Sequence, residues 1–340
     1  MKKILFLLPC LMLVAGVMAS RPKTAVVQDD AVAESDSTVA VIGYFCKNDT
    51  LDYWINESTW KFRDADTTKT ACVAQKVRIV VTNSTAKGYK MEYTFLECLG
   101  DSSIDSGLGA FQNKIVEKLG KKVVGTTIKF ETDEYGEITK FSNLGQIKKQ
   151  AKGLYKECMN ELMNFEGMKA LKDYGLDMKK LIDKNVDTDE LVEGYVEELK
   201  LLLLCHGSIY AVGEQTDHEE ATDTQYENDT YTEAWVDSTD YSYHISTDVV
   251  SKIPQSVVKS VVGELAGMFT PEEALDSINK EIDAALSEDA TVDSYYGIDY
   301  MPQGWPYKVV KQTSSVIGNA GKLEQTYIWL DFYSLGNWDR

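Results

Sequence analysis

Residues 51–62 read LDYWINESTWKF. Leu51, Tyr53, Ile55 and Glu57 alternate with Asp52, Trp54, Asn56 and Ser58, a period of two that places one set on each side of an extended chain. Working outward, the same strand-like character holds in TVAVIGYFC (38–46) before it. It also holds in ACVAQKVRIVVTN (71–83) and GYKMEYTFLEC (88–98) after it, with Asn, Asp and Gly at the breaks. Strands joined so closely predict an antiparallel meander.

Farther along the chain the period changes. Residues 126–141 (TTIKFETDEYGEITKF) read as a hairpin turning at Asp133-Glu134-Tyr135-Gly136, with Ile128, Phe130, Ile138 and Phe141 as the buried residues of its arms. Ile147, Ala151, Leu154, Cys158, Leu162 and Phe165 then recur every three or four residues, the mark of an amphipathic helix. Residues 109–119, 171–182 and 188–204 read as further helices. Strands resume through GSIYAVGEQ (207–215), ATDTQYENDTYTEAWVDS (221–238) and DYSYHIS (240–246). Val257, Val258, Val261, Val262 and Leu265 mark another helix. Thr270-Pro271-Glu272-Glu273 has the chemistry of a capped helix start, with Leu275, Ile278, Ile282 and Leu286 facing a core. TVDSYYGIDY, WPYKVVKQTS and LEQTYIWLDFY close the chain as strands.

Runs of strands separated by runs of helices predict an α+β fold, a curved antiparallel sheet packed on amphipathic helices. The turn at Asp133–Gly136 leading into EITKFSN is echoed by Asp299 to Gly304 leading into WPYKVVKQTS, which suggests an internally duplicated strand-helix architecture. The expected organisation is a signal peptide over 1–19, a mobile leader over 20–37, a strand-rich half with helices over 38–183 and a strand-helix-strand half over 184–340. The two halves could form one continuous domain.

The signal peptide rests on Lys2 and Lys3, the apolar run from Ile4 to Val17 and the small or permitted residues Val17-Met18-Ala19 at the cleavage positions. Cys10 follows Pro9 in the middle of that run, which argues against a lipid anchor. The expectation is an exported protein, periplasmic or extracellular, with no transmembrane segment in its mature chain. Of 35 basic residues, removing Lys2 and Lys3 leaves 33 against 54 acidic ones, a formal charge of -21. Such a surface repels nucleic acid. Cys46, Cys72 and Cys98 lie on strand-like segments, so a bridge between two of them is expected, whereas Cys158 and Cys205 read as inert buried thiols.

From Leu201 to Ser251 there is no Lys or Arg, but there are eleven acidic residues and all three histidines. Asp217, His218, Glu219, Glu220 and His244 are therefore the candidate metal ligands. The competing reading is a solvated strand face, because no zinc-protease or calcium-loop spacing is present. Cys205-His206-Gly207-Ser208 places a base beside a serine without the glycine-flanked elbow of a hydrolase. No motif requires a cofactor. Trp54, Trp60, Trp235, Trp305 and Trp329 all lie on or beside strands. They are the candidate ligand-binding residues, able to stack on sugars if exposed or to line an apolar cavity if turned inward. Trp235 is singled out because it falls on the acidic face of its strand.

IGYFCKNDTLDYWINESTWKF, TDEYGEITKFSN and GIDYMPQGWPYKVVK resemble the uncharacterised exported proteins of Bacteroidales-type bacteria, a domain of unknown function. The strand order is also similar to lipoprotein-carrier half-barrels, at the level of fold. The resemblance implies an envelope setting and no known activity. The expected function is an exported noncatalytic envelope protein that binds an apolar or glycan ligand, or another envelope protein. The alternatives are a structural protein that takes no small ligand, and a metal-dependent or carboxylate hydrolase.

Overall fold

The computed structural model describes residues 37–101, 103, 120–164, 188–222, 226–269, 280, 282, 286 and 288–332. The signal peptide and nearly all of the leader lie outside these residues. So do the helices expected over 109–119 and 171–182 and the cap at Thr270–Glu273.

Thirteen strands and three helices are described. The strands are β1 (Thr38–Ala40), β2 (Thr50–Arg63), β3 (Asp66–Thr85), β4 (Gly88–Gly100), β5 (Thr127–Thr132), β6 (Ile138–Phe141), β7 (Ile209–Ala211), β8 (Gly213–Glu219), β9 (Glu227–Val236), β10 (Tyr243–Ile253), β11 (Ala290–Tyr300), β12 (Pro306–Ile317) and β13 (Ala320–Leu330). The helices are α1 (Leu144–Asn164), α2 (Thr188–Leu202) and α3 (Gln255–Phe269). Eleven strands form one sheet in the order β6-β5-β4-β3-β2-β13-β12-β11-β10-β9-β8. Every neighbouring pair in it is antiparallel. The fold is thus α+β, as its alternating and helical periods predict. The first and last strands of the meander, β2 and β13, pair in the middle of the sheet.

One face of the sheet is apolar and covered. Leu51, Tyr53 and Ile55 on β2 join Val77 and Ile79 on β3, Tyr93 and Phe95 on β4, and Ile128 and Phe130 on β5. Val196, Leu199 and Leu202 of α2 and Ile147 of α1 pack on them. A second cluster lies at the opposite ends of the strands, where Val258 and Val262 of α3 meet Ile253, Ala290 and Val292. Both clusters occupy the same face, because side chains on directly paired residues project together.

The segment TVAVIGYFC departs from its expected form. Only Thr38–Ala40 is a strand, paired with β7. Beyond it the backbone bonds to two turns instead of a strand: Gly43 N–H donates to Tyr135 O at 2.7 Å and Tyr44 N–H to Gln303 O at 2.9 Å. These are the two turns whose sequences echo each other. The first is held by Asp133, whose Oδ1 accepts N–H groups from Tyr135, Gly136 and Glu137 at 2.9, 3.0 and 2.9 Å. In the second, Gly304 has φ +83°, and a Cβ there would lie 2.1 Å from Ile42 O, so the close approach requires glycine.

The expected disulfide is corrected: Cys46, Cys72, Cys98 and Cys205 are all free. Cys72 pairs with Ser58, and Cys98 pairs with Gln75, which is itself opposite Ile55. That places Cys72 and Cys98 on opposite faces of the sheet. Cys46 is exposed, beyond the end of β1. Cys205 is buried, and burial pushes its thiol up to about 11, in keeping with an inert core residue. The side chain of Cys158 lies outside the described residues. Among the described residues, no helix is long and apolar enough to cross a membrane.

Candidate functional site: the open face of the sheet

The second face of the sheet carries the residues that alternate with the core. Register places Trp54 opposite Trp329, Trp329 opposite Lys308, Lys308 opposite Asp299, Asp299 opposite His244 and His244 opposite Trp235. This row crosses six strands, about 24 Å at the usual strand spacing. The described helices pack on the other face.

Each polar member of the row has a defined partner. His244 Nδ1 lies 2.5 Å from Asp299 Oδ1, and Lys308 Nζ lies 3.3 Å from Asp299 Oδ2. Burial alone would raise the Asp299 carboxyl, but His244 and Lys308 outweigh it and hold the group below the usual carboxylate range. The His244 ring stacks on Trp235, with centroids 5.4 Å apart and planes 18° apart. Trp235 remains 41% exposed on the acidic side of its strand. At the other end, Lys76 Nζ sits 5.5 Å from the Trp54 ring centroid and pairs with Asp331 at 2.7 Å. Beside it, Arg78 grips buried Asp52 through two bonds of 2.6 and 2.9 Å.

The adjoining rows hold rings against the sheet. Tyr327 lies 5.3 Å from Trp329, centroid to centroid. Two glycines make room for neighbouring rings: a Cβ at Gly297 would meet the Tyr295 hydroxyl at 2.3 Å, and one at Gly321 would meet the Phe62 ring at 2.2 Å. In both places an aromatic ring lies close over a strand glycine. Trp60 is on the same face, with Lys69 Nζ 5.3 Å from its ring centroid and its Nε1 donating to Ser58 Oγ at 3.1 Å.

Four of the five candidate tryptophans therefore share this face: Trp54, Trp60, Trp235 and Trp329. Trp305 is elsewhere. It is buried beside the Gly304 turn, its ring tilted 33° to that of Phe45 with centroids 4.0 Å apart, and its Nε1 3.4 Å from Asp49 Oδ2. Sequence reading did not single out Asp299, Lys308, Tyr327 or Tyr295. The first two stand in a stretch that reads as a turn and strand, and only the register shows them beside His244 and Trp329.

The candidate metal ligands divide. Asp217, His218 and Glu219 lie on β8, whose seven residues are all exposed. His218 Nδ1 is 2.7 Å from Asp229 Oδ1, an interaction that raises the His218 pKa, and Glu220 Oε1 is 3.5 Å from His218 Nε2. His218, Glu227 and Asp229 can bring one ligand atom each within 4.8 Å of the others, although Glu227 also pairs with Lys252 at 2.5 Å. His244 does not join them. It is opposite Trp235 and His218 is opposite Asp229, six residues apart along β9, or about 20 Å. Of the Cys205-His206-Gly207-Ser208 run, His206 is buried and its Nε2 donates to Gly304 O at 3.0 Å. Burial pulls its pKa down to about 4. Its surroundings are Phe45 and Tyr300, at 5.6 and 5.7 Å.

No protein-family model matches the chain, and no curated protein matches it. Among solved structures, lipovitellin, in a study of its lipid-protein interactions, is similar at 8% identity and a TM-score of 0.36, over 84% of this chain and 25% of that one. This chain thus spans about a quarter of lipovitellin's length. An outer membrane channel from Pseudomonas putida F1 is similar at 6% identity and a TM-score of 0.13, over 85% of this chain and 97% of that one.

Proposed function

We propose that the chain is an exported, noncatalytic glycan-binding protein whose ligand lies across the open face of the sheet. The observation that carries this reading is the row Trp54, Trp329, Lys308, Asp299, His244, Trp235, in which indoles at both ends flank a central ammonium, carboxylate and imidazole. A saccharide offers both kinds of surface, apolar C–H faces for rings and hydroxyls for carboxylate, imidazole and ammonium groups. Successive side chains in the row are set one strand spacing apart, comparable to the repeat of a β-linked sugar chain. An apolar ligand would find fewer partners here, because Asp299, His244 and Lys308 occupy the centre of the row.

The test is calorimetric titration of the purified exported protein with β-linked glucan and N-acetylglucosamine oligosaccharides, with tryptophan fluorescence read in parallel. Binding is expected, and Trp329→Ala is expected to weaken it at least about tenfold, or about 1.4 kcal/mol. Binding that Trp329→Ala and Trp54→Ala leave unchanged would move the ligand off this face, and no binding to any of these probes would remove the reading.

A further inference from the structure

The eleven-stranded sheet ends in two unlike edges. At one end is β8, exposed along its whole length, with Glu214, Asp217 and Glu219 on it and Glu220 directly after it. Its neighbour β9 adds Glu227, Asp229 and Glu233, in a stretch of sequence from Leu201 to Ser251 that holds no Lys or Arg. At the other end is β6, a four-residue strand with Lys140 exposed, Glu131 opposite it on β5 and Glu137 directly before it. Lys129 on β5 and Lys149, Lys152 and Lys156 on α1 are exposed nearby in the chain. Among the described residues no strand lies beyond either edge. An edge strand presents a row of backbone N–H and C=O groups ready to pair with another strand.

We propose that copies of this chain associate head to tail, the β8 edge of one adding to the β6 edge of the next so that the antiparallel sheet continues between molecules. Charge selects this occupant. A symmetric contact of β8 with β8 sets acids against acids, and one of β6 with β6 sets lysine against lysine, both unfavourable across a strand pair. The unlike edges instead set Lys140 and the exposed lysines of α1 against the acids of β8. The contact is heterologous, so repetition closes a ring or extends a filament. Because β6 has only four residues, the backbone pairing is short and the attraction between charges is needed to hold it, which makes the association weak and sensitive to salt.

Sedimentation velocity of the exported protein over a concentration series tests this, at about 0.01 M and about 1 M salt. The average mass is expected to rise with concentration at low salt and return to that of the monomer at high salt. Amide exchange across Gly213–Glu219 should slow in the associated state. Glu214→Lys with Glu219→Lys, and separately Lys140→Glu with Lys149→Glu, should each weaken association at least about tenfold. All four positions are exposed, so folding is retained. An equimolar mixture of the two double variants should associate again, because each then meets opposite charge on the other. A monomer at every concentration in low salt would overturn the proposal. So would association that survives in either variant alone, or a mixture that stays monomeric.

Discussion

The two faces of this sheet are built from the same six central strands, one residue out of step. On the covered face, Ile55, Ile328, Val309, Ile298, Ile245 and Ala234 are directly paired in turn, and all six are fully buried. The neighbouring residue on each strand gives the open row of Trp54, Trp329, Lys308, Asp299, His244 and Trp235. Apolar side chains on the first row are held by what they exclude, namely water. Those on the second are held by what they touch: a histidine on an indole, a lysine over an indole, a carboxylate between a histidine and a lysine. A face meant only for solvent needs none of these pairings.

That contrast is open to a direct challenge at adjacent positions. Ile328→Ala is expected to cost about 2–5 kcal/mol in stability, the usual range for removing a buried aliphatic side chain and leaving a cavity. Trp329→Ala, one residue on, removes a larger side chain yet should cost about 1 kcal/mol or less, because its ring is only partly withdrawn from water. Urea unfolding of both variants measures the difference. Equal losses would mean that the open face is a second core covered by something else.

The next largest effect concerns how the covered face is closed. The two echoing turns meet the segment after β1, and His206 lies between them: a Cβ at Gly136 would meet its ring at 2.6 Å. Gly304→Ala forces both a left-handed backbone and a clash with Ile42 O, and is expected to cost about 2 kcal/mol. Ala at Gly145, which has open space around it and lies in the first turn of α1, should be neutral or slightly stabilising. Thermal unfolding of the pair separates the turn contact from a general effect of losing glycine.

Much of this architecture was legible in the chain. The alternation in 51–62 named both faces of β2 correctly, and the hairpin at Asp133–Gly136 and the helices at 147–164 and 257–265 follow from period and turn chemistry. The segment 41–46 was not legible, because its apolar residues have the composition of a strand while its backbone partners are turns about 90 and 260 residues away in sequence. The disulfide expectation failed for a related reason. Composition places cysteines on strands, but only register tells which face each one occupies. Four tryptophans of the open face could be named in advance, since aromatic residues mark strands. Asp299 and Lys308 could not, because they acquire meaning only when β11 and β12 bring them beside β10 and β13.

The covered face also has one polar interruption, and it gives the smallest and most diagnostic effect. Glu57 follows Ile55 on the inward side of β2 and meets Glu198 of α2, with Gln75 donating to Glu57 Oε2 at 3.2 Å and Lys311 pairing with nearby Glu197 at 2.7 Å. Buried Tyr93 stands close enough to feel both carboxyl groups. Burial first, and the Glu57 charge second, push Glu198 up to about 8, so at neutral pH it keeps its proton and the two carboxyl groups share a hydrogen bond. The unfolded chain releases that proton near the ordinary glutamate pKa. The folded state therefore binds more protons between roughly pH 4.3 and pH 8, and stability from this pair falls as pH rises through that window. Glu198→Gln removes the titration but keeps a donor toward Glu57. The variant should match the parent near pH 5 and exceed it by a margin that grows as pH rises toward 8. Denaturant unfolding at a series of pH values measures the gap. If it does not widen with pH, Glu198 is already ionised in the folded protein. The inward row would then tolerate a charge pair at the point where it borders α2, and the two faces would differ less than their exposures suggest.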